Sequence, residues 1–199
     1  MRSTRHIALA AALGLAPVPL SAQWSTGLSL GVARYYGGAV STVDSAPGSV
    51  HPYRPTTVTL AVGHDWGAVR VDLGVSYGSP GMAAEVDGGA FVDAGAAYFV
   101  AGAPEVSVRV LRVGAGGALR AGGGPDVTLW SLTDFDSRVL VGGHVAVSYE
   151  WPIAGSFVGS IQAGVSLSPS LFRESEISSS FERRMMVRPS LALGLRWRP

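Results

Sequence analysis

The feature that most constrains this chain is an alternation with a period of two. Between residues 69 and 77, Val69, Val71, Leu73, Val75 and Tyr77 take turns with Arg70, Asp72, Gly74 and Ser76. In an extended strand that spacing puts every apolar side chain on one face. The same pattern runs through 56–66 (Val58, Leu60, Val62, Trp66) and 138–151 (Val139, Val141, Val145, Val147, Tyr149, Trp151). It recurs in 156–168 (Phe157, Ile161, Val165, Leu167) and 185–197 (Met185, Val187, Leu191, Leu193, Leu195, Trp197). Residues 24–36, 90–100 and 106–118 carry it more weakly, which brings the expected strands to eight. Helices are a poor alternative, because 27 glycines are spread along the chain and each interior glycine costs a helix about 1 kcal/mol relative to alanine.

The connections alternate in length. Gly67-Ala68, the stretch around Gly102-Ala103-Pro104, and Pro152 to Gly155 read as short turns, whereas 37–55, 78–89, 120–137 and 169–184 read as long loops. An even number of antiparallel strands with short turns at one end and long loops at the other is the pattern of a membrane-spanning barrel. The predicted fold is therefore all-β, an eight-stranded antiparallel up-and-down transmembrane β-barrel occupying residues 23–199.

The first 22 residues read as a secretory signal peptide. Arg2 and Arg5 give a positive start, Ile7 to Leu20 an apolar stretch, and Leu20-Ser21-Ala22 a small-residue cleavage site. The apolar stretch is shorter than the roughly 20 residues a helix needs to cross a bilayer. Removing 1–22 takes two of the 15 basic residues, all of them arginine, and none of the 14 acidic ones. The remaining near-neutral chain has no basic run, so nucleic acid is excluded as a partner. With no cysteine, disulfides, thiolate metal sites and cysteine nucleophiles are excluded too.

Aromatic residues offer a second line of evidence, since membrane barrels carry aromatic girdles at both interfaces. Trp24, Trp66, Tyr98, Tyr149, Trp151, Phe157 and Trp197 fall at predicted strand ends beside short turns or termini and are assigned to the periplasmic girdle. Tyr36, Tyr77 and Phe172 are assigned to the opposite ring. The other strand face is mostly Gly, Ala and Ser with a few charges. That suits the narrow lumen of an eight-stranded barrel, whereas a water-soluble barrel of lipocalin type would put many more charged residues outside.

Inward charges must pair, because an unpaired buried charge costs several kcal/mol. The two-residue turn at Gly67-Ala68 sets Asp65 opposite Arg70, and Asp72, Arg109, Glu150 and Arg196 fall at similar depth. These six are expected to form a network in the periplasmic half. Asp93, His144, Gln162 and Arg188 are expected in a sparser upper layer. Arg112 has lipid-facing parity, so a bulge near Val110 and Leu111 is expected to turn it inward. Arg34 is outward but near the loop end, where it can snorkel to headgroups. Pro189 removes a ladder donor from the last strand.

Over 23–199 this pattern of turns, girdles and signal peptide resembles the small outer-membrane barrels of the OmpA and OmpX type. The resemblance implies outer-membrane lipid as the surroundings, location in the bacterial outer membrane, and insertion by the barrel-assembly machinery. That machinery commonly recognises a terminal aromatic residue; here Trp197 is followed by Arg198 and Pro199.

No chemistry-bearing motif stands out. His144, Ser148 and Glu150 share a strand face and invite comparison with lipid A-modifying barrel enzymes. Four residues along a strand span about 13 Å, too far for a base and its nucleophile. His51, His64 and His144 lie on separate elements without ligand spacing, so no metal and no cofactor is expected. Gly114-Ala115-Gly116 and Gly122-Gly123-Gly124 lack the rest of a phosphate-binding fingerprint. Function is expected in the loops, notably 120–137 with Trp130, Phe135, Asp126, Asp134 and Asp136, and 169–184 with its mixed Arg and Glu residues. The reading favours a non-enzymatic barrel that stabilises the membrane or binds partners at the surface. A narrow solute pore and a lipid A-modifying enzyme are the alternatives.

Overall fold

The computed structural model describes residues 24–43, 48–86, 89–133 and 136–199. The proposed signal peptide, Asp134 and Phe135 lie outside them. In chain order the strands are β1 (Trp24–Ala33), β2 (Tyr36–Ser41), β3 (Gly48–Tyr53), β4 (Thr56–Trp66), β5 (Val69–Gly78) and β6 (Gly81–Val86). They continue as β7 (Gly89–Asp93), β8 (Ala97–Val113), β9 (Gly117–Leu132), β10 (Arg138–Ala154), β11 (Phe157–Ser168) and β12 (Phe181–Trp197). Every pairing is antiparallel. The sheet runs β1-β4-β5-β8-β9-β10-β11-β12, and β12 returns to pair with β1. That ring of eight strands is the barrel. The other four strands grow upward from the top of β12 in the order β2-β3-β6-β7.

Short turns join β4 to β5, β8 to β9 and β10 to β11 at one end, which we call periplasmic. Gly67, Gly114, Gly116 and Gly155 have positive φ there, a backbone conformation open to glycine at no steric cost.

The ring has the expected eight strands, but several of the expected boundaries need correction. Residues 90–100 and 106–118 are not separate strands, because β8 runs unbroken from 97 to 113. Conversely 120–137 is not a loop, because β9 runs to Leu132 and only five residues separate it from β10. Proline explains the misreading. The β8–β9 ladder pairs Gly102 with Val127 and Val106 with Gly123 but leaves Pro104 and Pro125 between them. Neither proline has an N–H to give, yet the register resumes unchanged. The reversal occurs at 114–116 instead. The regions 37–55 and 78–89 likewise hold β2, β3 and β6 rather than plain loop.

The outward face is a continuous apolar belt. Leu30, Leu60, Val145 and Leu193 expose 58, 62, 65 and 60 % of their surface, and their neighbours on the same face are similar. A patch of this size is far beyond the few hundred Å² that water-soluble monomers leave uncovered. Hydrocarbon is the solvent that satisfies it, and a closed sheet is the β-structure that crosses hydrocarbon with no unpaired edge.

At the periplasmic rim Trp24 meets His64 edge-on with ring centroids 4.8 Å apart, His64 contacts Trp66 at 4.1 Å, and Tyr149 stacks on Trp151 at 5.8 Å. Phe157 pairs with Trp197 beside them. Tyr98 does not belong to this ring. It sits near the start of β8 opposite Ser131, hence at the extracellular end with Tyr77 and Tyr36. Phe172 belongs to neither ring, being buried inside.

The β8–β9 register shifts between Arg109 and Leu111, which is a bulge at Val110. Beyond it Arg112 stands opposite Ala118, which itself faces Glu150. Arg112 therefore has lumen parity, at the exposed turn end. Arg34 is exposed with its guanidinium 5.0 Å from the Tyr36 ring centre. Pro189 keeps its place in β12, its carbonyl accepting the Arg34 amide at 3.0 Å.

Candidate functional site

The lumen is built in layers. At the periplasmic end the Gly67-Ala68 turn places Asp65 opposite Arg70, and Arg70 Nε donates to Asp65 Oδ1 at 2.9 Å. The same guanidinium forks onto both Glu150 oxygens at 2.5 and 3.2 Å. Glu150 also accepts from Arg198 at 2.9 Å. Arg120 approaches Asp65 to 3.7 Å and donates to Ser107 Oγ at 3.3 Å. One step up, Arg196 donates to Asp72 at 2.7 Å and Ser25 Oγ at 2.8 Å. Three carboxylates thus face four guanidiniums, with Arg70 and Glu150 only 2 and 6 % exposed. Buried charges at such density persist because each carboxylate accepts from a guanidinium at hydrogen-bond distance, while Arg120 bonds to Ser107 Oγ and stands near Asp65.

Two carboxylates hold the layers above. Glu105 lies 3.2 Å from His144 Nε2 and accepts from Gln162 at 3.4 Å. Asp126 pairs with Arg188 at 3.6 Å, and Arg188 also donates to Ser166 Oγ at 3.0 Å. Small residues leave room for these side chains. A Cβ added at Gly63 would stand 1.9 Å from Asp72 Oδ1, and one at Gly124 would stand 2.0 Å from the Pro104 oxygen. What remains open among the layers is a cavity of about 210 Å³.

An apolar cap closes the extracellular end. Tyr35, Phe99, Trp130, Leu171, Phe172 and Met186 are buried in one cluster. Trp130 meets Phe99 at 4.9 Å and Tyr35 at 5.8 Å. The Arg188 guanidinium lies 5.7 Å from the Phe99 ring centre, joining the cap to the ion pairs below. A strap, residues 169–180, lies over the cap. Its Glu176 takes both nitrogens of Arg138 at 2.8 Å, and Arg138 also reaches the Leu171 carbonyl.

The structure brings together Asp65, Arg70, Asp72, Glu150 and Arg196 below, and His144, Gln162 and Arg188 above. Two expected members are elsewhere. Arg109 sits beside the bulge, donates to the Gly67 carbonyl at 3.0 Å and leaves the network to Arg120. Asp93 ends β7, exposed and opposite Met82, well above the lumen. Sequence reasoning missed Glu105, Arg120, Asp126 and Arg198. The first three were hidden by taking 102–104 as a turn and 120–137 as a loop. Their signal was present as the alternation Arg120, Gly122, Gly124, Asp126, Thr128 and Trp130, in which two glycines mask the period. Trp130, expected in a binding loop, is 1 % exposed.

His144, Ser148 and Glu150 do not meet as a catalytic group: His144 pairs with Glu105, and Glu150 is taken up by Arg70 and Arg198. Among the described residues no cluster of His, Asp and Glu could hold a metal ion.

The Arg138 fork, with help from the Arg173 amide, holds the Glu176 carboxyl down to about 2 from its ordinary 4.5. A depressed carboxylate stabilises its contact fully above the ordinary value, and the contact is lost as pH falls toward the lowered one. The strap is therefore expected to stay docked from pH 7 to about 4.5 and to loosen between 4.5 and 2. A spin label on Ser175→Cys, the sole cysteine, should report rising mobility across that window, and Glu176→Gln should be mobile throughout. A label equally immobile at pH 2.5 and 7 would refute this.

No family model matches the chain, and no curated protein is significantly similar to it. Solved structures are similar in fold. Neisserial surface protein A superposes with a TM-score of 0.54 at 7% identity, covering 88% of this chain and 97% of that one. The outer membrane protein OprG of Pseudomonas aeruginosa gives 0.53 at 8% identity, covering 88% and 95%. With its closed ring of eight strands, apolar exterior and periplasmic girdle, the chain has the fold of the small eight-stranded outer-membrane β-barrels.

Proposed function

We propose that this is a non-enzymatic integral protein of the bacterial outer membrane that stabilises the membrane and presents its extracellular sheet and strap at the surface. In this reading residues 1–22 are a signal peptide removed on export, and the barrel-assembly machinery inserts the rest into outer-membrane lipid. The observation that carries it is the filled lumen. Charge layers occupy the interior and an aromatic cap occupies the mouth, an arrangement suited to a rigid body rather than to a conduit.

The test has two arms. Unboiled protein from purified outer membranes should migrate differently from boiled protein in gel electrophoresis, as a closed barrel does. In planar bilayers the folded protein should show no steady conductance. Recovery as a detergent-free periplasmic monomer would overturn the membrane assignment, and steady unitary channels would replace the stabilising role with that of a solute pore.

A further inference from the structure

A second cavity lies outside the lumen. It occupies about 360 Å³ between the extracellular sheet, the tip of β9 and the strap. Its walls are Val50 on β3, Met82 on β6, Leu132 on β9, and Phe172, Ile177 and Phe181 in and beside the strap. These residues belong to, or pack against, the cap cluster, so the inner wall is rigid. Met82 adds flexible, polarisable surface to the wall. The volume lies in the range of small-molecule sites, about 300–1,000 Å³, which are typically apolar with a few convergent polar groups.

Here the polar groups are Asp93, Thr133, Glu176 and Ser178. Glu176 is committed to Arg138, whereas Asp93 closes β7 as an exposed carboxylate. No Arg or His lines the cavity. The wall thus solvates an apolar tail, and the rim offers only hydrogen-bond acceptors and hydroxyls to whatever stands at its mouth. An anionic head would meet carboxylates, and a protonated amine would meet complementary charge.

We infer that this cavity binds a cationic amphiphile, its apolar chain between Met82, Leu132, Ile177 and Phe181 and its ammonium group at Asp93. The methionines allow a direct test. Met82 lines the cavity, while Met185 lies outside it with 62 % of its surface exposed and serves as the reference for non-specific association. The protein, labelled with ¹³C at methionine methyls and folded in zwitterionic phospholipid nanodiscs, is titrated with decylammonium and separately with decanoate.

The expected result is a saturable shift of the Met82 methyl with decylammonium, not followed by Met185, and a response to decanoate at least tenfold weaker. Ile177→Trp, which narrows the cavity where the chain would lie, should weaken the Met82 response at least fivefold while heat-modifiable migration persists. Should that variant fail to fold, Asp93→Asn decides, with an expected loss of about fivefold in affinity from a partly exposed ion pair. Met82 and Met185 shifting together without saturation, equal response to decanoate, or unchanged binding in the folded variants would each overturn the proposal.

Discussion

Replacing Glu150 with alanine is expected to cost the folded barrel about 3–5 kcal/mol, the usual penalty for removing one partner from a buried ion pair. Glu150 is 6 % exposed and accepts from Arg70 and Arg198, with Arg120 and Arg196 close by. Without it, Asp65 and Asp72 alone face four guanidiniums. The comparison that isolates the charge effect is Glu150→Leu with Arg70→Met, which removes both partners and substitutes apolar volume; it should recover much of the loss. Urea titration of protein folded into vesicles reads the effect as a lowered midpoint at constant slope. If Glu150→Ala lies within about 0.5 kcal/mol of the parent, as an ordinary surface substitution does, the lumen is hydrated and the charges hold nothing together.

That network also shows what was legible in the sequence and what was not. Asp65 and Arg70 could be paired because a two-residue turn fixes the register of the strands it joins, and parity then places Asp72, Glu150 and Arg196 on the same side. Arg120 and Asp126 required knowing that 117–132 is a strand, where glycine at 122–124 and Pro125 erase the apolar alternation. Glycine there serves packing rather than turning: a Cβ at Gly124 would strike the Pro104 carbonyl of β8. The split at 102–104 and the missed strand cancelled in the count, so eight strands were expected with two of them wrongly bounded. Tyr98 and Asp93 were misplaced by the same error, because reversing β8 in the wrong place exchanges its ends.

The extracellular structures were invisible for a different reason. The cap draws Tyr35, Phe99, Trp130, Leu171, Phe172 and Met186 from five separate stretches of chain, and no local period announces such a meeting. The strands β2, β3 and β6 lie in segments whose composition reads as loop, and β7 falls almost wholly within the single strand expected at 90–100. The bulge at Val110, by contrast, was legible, since a charged residue of lipid parity leaves few other ways to satisfy it.

Leu193→Arg tests the orientation of the whole barrel, with an expected destabilisation of about 2–4 kcal/mol, the cost of arginine on the lipid face near the bilayer midplane. Leu193 is 60 % exposed and pairs with Leu30 and Ile161, both on the outward face, midway along β12 between Trp197 and Met185. In a water-soluble barrel the same exposure would make the substitution neutral or favourable, because solvating a guanidinium costs nothing and an exposed leucine gains nothing. Phe91→Arg is the matched control: Phe91 is 74 % exposed on β7, in the sheet above the belt, and should change stability by less than about 0.5 kcal/mol. Both variants are read by urea titration in vesicles and by the folded fraction on unboiled gels. A cost at Leu193 with none at Phe91 separates apolar surface facing hydrocarbon from apolar surface facing water, which exposure alone does not distinguish. Equal, negligible effects at the two positions would mean that the belt is not in a membrane, and the inward assignment of every charged layer would lose its physical basis.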